Sequence, residues 1–216
     1  MRVLHLVGNL SGCLAFGLLG LGSCPAGAQG AGPAIGEVLA LKGEAWIDGQ
    51  ALKPGDRVQA GASLRTGQPG RLRLRFEDGS VLVLSDRSEL RLERYEPAAG
   101  GARQASLWLQ LGLIGQSVRS QPGGSWQVRT PSAVTAVRGT EFMVEVDASQ
   151  KTAVHVQSGD VAVEPQGGLR LRGAAAPVRR LSQPRQGTDC EAEGGCSEVK
   201  TWSEQRVQAL RDRLDF

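Results

Sequence analysis

"TPSAVTAVRGTEFMVEV", Thr130 to Val146, is the stretch on which the fold turns. Its valines, threonines and alanines alternate as a half-buried strand requires, because successive side chains on a strand point to opposite faces. Arg138-Gly139-Thr140 breaks the rhythm and is either a site or a corner in a sheet. Pro131 has no N–H for a ladder, so Thr130-Pro131 falls at a strand end or edge. Gly139 permits a bulge or tight bend, after which Phe142, Val144 and Val146 alternate into a core. The stretch therefore reads as a structural corner. Arg138 and Thr140 would flank it, tied to backbone or to an acid such as Asp78 or Asp160. On this reading Arg138→Ala lowers thermal stability more than ligand binding.

The same pattern extends outward. "RLRLRF" alternates arginine with Leu72, Leu74 and Phe76, "EDGS" turns the chain at Asp78-Gly79, and "VLVLS" returns as a strand covered on both faces. Asp48-Gly49 makes a two-residue hairpin turn and Lys53-Pro54-Gly55-Asp56 another turn. "ELRLERYE", "WQVRTP", "KTAVHVQSG" and "DVAVEP" read as further short strands. "SLWLQLGLIGQSV" fits a strand or a short helix, and residues 97–104 read as a flexible polar loop. With 30 glycines and 10 prolines in 216 residues, the chain reads as all-β: short-stranded, solenoid-like or sandwich-like, with a short C-terminal helix.

Four segments follow. Residues 1–28 read as a signal peptide: Arg2, an uncharged apolar run from Leu10 to Leu21, and Ala26-Gly27-Ala28 before the cleavage point. Leu21-Gly22-Ser23-Cys24 also resembles a lipobox, so a lipoprotein anchored at Cys24 is the alternative to a periplasmic or secreted protein. Residues 29–36 read as a linker, 37–172 as the β domain, and 173–216 as an extended tail with a disulfide loop and a helix. Ser197 is the expected helix cap, and Val199, Trp202, Val207, Leu210 and Leu214 recur at helical spacing. The helix either packs on its own domain, the favoured reading, or docks on a partner. Cys190 and Cys196, in an exported chain, read as a local disulfide, because no histidine or second cysteine pair completes a metal site.

Removing residues 1–28 leaves 24 basic against 22 acidic residues, too balanced for nucleic-acid binding by bulk charge. No P-loop, dinucleotide fingerprint, zinc-protease motif or nucleophile elbow is present. The one histidine after residue 28, His155, alternates against Val154 and Val156 and is expected on a solvated face. Arg71, Arg73 and Arg75 share one strand face. As a ligand-binding row they would fork carboxylates or phosphates of an anionic glycan; otherwise they form a solvated face balanced by Glu77, Glu89, Glu93 and Glu96.

These residues carry a resemblance to a family. Pro54-Gly55-Asp56, Thr66-Gly67, Phe76 with Asp78-Gly79-Ser80, Thr130-Pro131, Arg138-Gly139-Thr140 with Phe142, and Val156 through Val163 follow the order seen in the FecR domain, over residues ~37–165. The resemblance implies an all-β, solenoid-like domain of the bacterial envelope that senses or binds. It implies no enzyme activity and no cofactor. Founding members are transmembrane regulators with a cytoplasmic anti-sigma segment. Here only about 30 signal-like residues precede the domain, so the chain is similar to a stand-alone exported FecR-domain protein. It is expected to bind an envelope protein or an anionic glycan, without nucleic acid, and not to span the membrane once the signal is cleaved. An accessory role in sigma/anti-sigma signalling is the alternative, and a cell-envelope polymer hydrolase the remote one.

Overall fold

The computed structural model describes residues 33–97, 102–166 and 177–216. The segment read as a signal peptide, Cys13 and Cys24 lie outside the described residues. So does most of the stretch read as linker, although a strand already begins at Ala34.

The strands are β1 (Ala34–Ile47), β2 (Gln50–Ala51), β3 (Arg57–Gln59), β4 (Ser63–Phe76), β5 (Val81–Leu84), β6 (Glu89–Pro97) and β7 (Arg103–Ser117). β8 (Ser125–Arg129), β9 (Ala133–Val146), β10 (Thr152–Pro165), β11 (Arg179–Leu181), β12 (Gln186–Glu191), β13 (Gly195–Cys196) and β14 (Lys200–Thr201) follow, and one helix, α1 (Glu204–Leu214), closes the order. "SLWLQLGLIGQSV" thus lies in a strand, β7, and Arg103 and Gln104 begin that strand instead of belonging to a loop.

The five long strands change partners along their length. The first half of β9 pairs with β8, through Val137↔Trp126 to Val134↔Arg129. Its second half pairs with β7, through Glu141↔Ser117 to Val146↔Gly112. β7 itself pairs with β6 and β8 in its first half and with β5 and β9 in its second. The result is one continuous sheet folded into two facing halves. One half contains β6, β8, β11 and the start of β7 and β9; the other contains β3, β5, β12 and their ends.

A single core fills the space between the halves. Phe76, from one half, stacks on Tyr95 of the other at 5.4 Å and meets the Trp126 ring edge-on at 5.1 Å, the offset and T-shaped geometries that aromatic rings favour. Leu72, Leu74, Leu82, Leu84, Val144, Val154 and Val156 are fully buried there. The architecture is therefore sandwich-like, held by the alternation read from the sequence.

The Arg138–Thr140 interruption is one of the corners where a strand passes between halves. Gly139 has φ +61°, and a Cβ there would lie 2.6 Å from the Ser120 Cβ. Opposite it, Gly159 has φ +88°, and its Cβ would lie 2.7 Å from the Gly139 carbonyl oxygen. The β9–β10 register shifts at this point, between Val156 and Asp160. Two glycine backbones pass where no side chain fits, which is what a bulged crossing needs. Thr140 seals it: its hydroxyl donates to the Asp160 carbonyl at 3.0 Å.

The tail differs from the extended segment read from the sequence. β11 pairs with β10 through Val161↔Leu181, and β12 pairs with β10 through Thr152↔Cys190 to His155↔Gly187. β11, β12, β13 and β14 of this tail belong to the same sheet. Cys190 and Cys196 are joined by a disulfide across β12 and β13. Ser197 does not cap the helix. It hydrogen-bonds along β12, where the Asp189 N–H donates to its hydroxyl at 3.1 Å. The cap is Ser203, whose hydroxyl accepts from the Arg206 N–H at 3.3 Å, with Glu204 in the first turn and Arg211 and Arg213 in the last to match the helix dipole.

Candidate functional site

Two groups of chemistry-bearing residues stand out, one inside the sandwich and one on its outer face. The inner group is built on the β4–β5 turn. Ser80 N–H and hydroxyl both donate to the Asp78 carboxylate, at 2.9 and 2.8 Å. Arg103 forms a buried ion pair with that carboxylate, each side chain about 5% exposed. The guanidinium also donates to the Ser80 hydroxyl at 3.2 Å and the Arg119 carbonyl at 3.3 Å, and lies 4.8 Å from the Trp126 ring centroid. Burial pulls the Arg103 pKa below the usual arginine range, yet guanidinium keeps its proton in proteins, so it needs this carboxylate. Asp78 is therefore tied to Arg103, 25 positions along the chain, and not to Arg138. The Arg138 side chain is exposed and makes no hydrogen bond or ion pair with a described residue. Nothing in the structure gives its side chain a structural role.

The other sequence-motif residues are staples too. Asp56 accepts from the Lys53 N–H at 2.9 Å, closing the turn at Pro54-Gly55. Thr130 accepts from the Ala133 N–H at 2.9 Å and shares a 2.7 Å hydrogen bond with the Thr152 hydroxyl, so Pro131 sits in the turn between β8 and β9. Buried hydroxyls replace ladder bonds where strands bend, which keeps buried polar groups satisfied.

The outer group lies along one row of the second half-sheet. Arg73, Val83, Gly115, Met143, His155 and Gly187 are successive register partners across β4, β5, β7, β9, β10 and β12. α1 and its flanks lie along this row. The Trp202 ring occupies the space over Gly187, where a Cβ would come within 2.2 Å of it, and Leu214 occupies the space over Gly115. Leu113 and Met143 pack with Trp202, Val207 and Leu210 in a small cluster separate from the main core. Arg206 stacks on Trp202 with its carbon 3.4 Å from the ring centroid and forks onto Asp189, Nη1 to Oδ2 at 3.1 Å. Arg213 pairs with Glu145. An open groove of about 440 Å³ runs beside the C-terminal end of α1, past Val81, Val83, Gln157 and Arg211.

His155 sits beneath this layer and is fully buried, not solvated as the alternation suggested. Its ring centroid is 5.3 Å from that of Trp202. Neither ring nitrogen has a hydrogen-bond partner. Burial, then the charges of Arg211, Arg206 and Arg185, push its pKa down to about 4, opposed only by Glu204. It is a neutral ring close to three arginines, with no nucleophile or orienting acid beside it among the described residues.

The three arginines proposed as a ligand row are engaged within the chain. Arg71 donates to the backbone carbonyls of Asp212, at 3.1 Å, and Asp215 at the end of α1. Arg73 lies 4.5 Å from the Phe216 ring centroid. Arg75 pairs with Glu37. Cations at a helix C-terminus satisfy its free carbonyls and dipole. Among the acids proposed to balance the row, Glu77, Glu89, Glu93 and Glu96 instead pair with Arg57, Arg65, Arg129 and Arg94. Sequence reasoning missed Arg103 and the cover over His155. The signals for the latter were present: small residues at outward positions 115 and 187, and a helix whose apolar residues needed a surface.

Among the described residues no group of three or more His, Cys, Asp or Glu side chains converges as a metal site would. No described helix is long and apolar enough to cross a membrane.

Comparison with known families places the FecR protein model on residues 62–162. Residues 62–162 are a FecR domain. The match includes Thr66-Gly67, Asp78-Gly79-Ser80, Arg103, Thr130-Pro131 and the Arg138–Thr140 corner, and it begins after Pro54-Gly55-Asp56. The FecR domain thus contains the inner staple and most of the outer row, while Gly187, Trp202 and α1 lie beyond it. Two crystal structures of a protein from Parabacteroides distasonis ATCC 8503, described as a "putative anti-sigma factor", share the fold. One matches with a TM-score of 0.52 and the other with 0.51, both at 22% identity over 68% of this chain. The alignment spans 62% and 63% of those chains. No curated protein matches the sequence.

Proposed function

We propose that this is an exported, non-catalytic FecR-domain protein that works by binding an envelope protein. The observation that carries the reading is the FecR domain over residues 62–162, whose motif residues are spent on turns, corners and the buried Asp78–Arg103 pair. What remains for function is surface. A protein partner is favoured over an anionic glycan because Arg71, Arg73 and Arg75 are already occupied by Asp212, Asp215, Phe216 and Glu37. The likeness to the anti-sigma chain supports a signalling partner, and with it an accessory role beside a sigma/anti-sigma system. The apolar, uncharged leader and Ala26-Gly27-Ala28 support export, with acylation at Cys24 as the alternative processing.

Affinity capture from a bacterial envelope extract, with the full chain processed by its host, tests this. Retention of one envelope protein at stoichiometric level is the expected result. Turnover of peptidoglycan or polysaccharide by the purified protein overturns the non-catalytic reading. Retention of polysaccharide alone overturns the protein-partner reading.

A further inference from the structure

α1 packs on the outer face of the sheet. Its apolar contacts form a satellite cluster of Leu113, Met143, Trp202, Val207 and Leu210, apart from the main core. Within the helix only Val207 and Leu210 are buried. Removing α1 would leave the sandwich interior closed. It would also bring water to His155, whose two ring nitrogens lie buried without partners while α1 is docked. An unmade hydrogen bond on a buried polar group opposes the state that buries it, so the docked state carries a penalty that the undocked state relieves.

The surface under α1 has the dimensions of a helix site. Gly115 and Gly187 leave the two hollows that Leu214 and Trp202 fill. Asp189 and Glu145 lie in one neighbouring row, separated by Ala153, so two strand spacings of about 4.8 Å put them about 10 Å apart. Arg206 and Arg213, seven residues apart, are about 10.5 Å apart along a helix, and each meets one of these acids. Arg71 then meets the carbonyls at the helix end. The sheet thus reads an amphipathic helix by an aromatic at its start, leucine or valine on one face, two arginines two turns apart, and a free C-terminal turn.

We infer that the outer row from Arg73 to Gly187 is a helix-docking site that α1 occupies in cis and that an amphipathic, arginine-bearing helix of the partner protein takes when α1 leaves. This rests on the protein-binding reading above and names the surface that serves it. α1 is then a self-ligand whose release exposes the site.

The test uses the full chain and a fluorescein-labelled peptide of residues 200–216. Hydrogen exchange shows first whether α1 opens alone: its amides are expected to exchange at least ~100-fold faster than those of β7 and β9, as a local opening does. Equal protection of α1 and the sheet overturns the proposal. Leu210→Asp then releases α1, and the peptide is expected to bind this variant at least ~10-fold more tightly than the wild type, in line with removal of an occupied state. Arg206→Glu with Arg213→Glu releases α1 by a second route that leaves the apolar residues intact. The peptide must bind that variant too, and adding Glu145→Arg must weaken it. No binding to either released variant, with β-sheet circular dichroism unchanged, overturns the proposal. The peptide assay needs no partner, so its success or failure is independent of the envelope capture.

Discussion

Arg103 and His155 are both enclosed in this protein, and their surroundings differ. Arg103 lies inside the sandwich with a carboxylate, a hydroxyl, a carbonyl and an aromatic face around it. His155 lies under α1 with an aromatic face and no hydrogen-bond partner at either nitrogen. A buried charge must be paired, because leaving it alone costs far more than leaving a neutral ring without hydrogen bonds. The contrast separates a charge held inside the main core from a neutral ring held under the outer layer.

The largest effect should come from breaking the paired site. Asp78→Ala strands the Arg103 charge in the core and is expected to lower stability by about 3–5 kcal/mol, read by chemical denaturation at neutral pH. A loss under 1 kcal/mol would mean that Ser80 and the Arg119 carbonyl suffice for the guanidinium, and the contrast with His155 would fail.

Acid acts on the other site. His155 has its pKa pushed down to about 4 from 6.5, so the unfolded chain binds the proton first. Its contribution to stability is full above about pH 6.5 and is lost as pH falls toward 4, at no more than about 1.4 kcal/mol per pH unit. Because carboxylates titrate nearby in pH, the informative quantity is the wild-type denaturation midpoint minus that of His155→Leu. That difference should turn against the wild type across this window, with Arg185, Arg206 and Arg211 facing the new charge and Glu204 alone opposing them. A pH-independent difference would show that water reaches the ring with α1 in place.

Smaller effects are expected at the corner. Gly139→Ala puts a side chain at φ +61° against Ser120 and should cost about 1–2 kcal/mol, measured by thermal unfolding. Arg138→Ala, next to it, should change stability by no more than about 0.5 kcal/mol, because the side chain is exposed and makes no hydrogen bond or ion pair with a described residue. That pair of outcomes would assign the corner to backbone and Thr140 and not to the arginine.

Much of the fold was legible because its causes are local. Asp48-Gly49, with φ +48° and +83°, forms the hairpin that its residue types require. Leu72, Leu74 and Phe76 face the core as their alternation dictates. Thr130-Pro131 and Arg138-Gly139-Thr140 lie where strands end or cross. The candidate site was less legible. Alternation correctly set His155 on the face opposite Val154 and Val156, but a period of two says only which face a residue takes and not what covers that face. The same limit applies to Arg71, Arg73 and Arg75, which share a face as expected yet meet the end of α1 and Glu37.

The sequence by itself determined the Asp48-Gly49 and Asp78-Gly79 turns, the alternation of Leu72, Leu74 and Phe76, and the local Cys190–Cys196 pair, because each depends on residues close to one another in the chain. Only the tertiary structure decided that Asp78 is held by Arg103, that the tail adds β11 and β12 to the sheet, and that α1 lies over His155. Those choices are made between residues far apart in the chain, by which charges must be paired when water is excluded and by which small residues leave room for a helix.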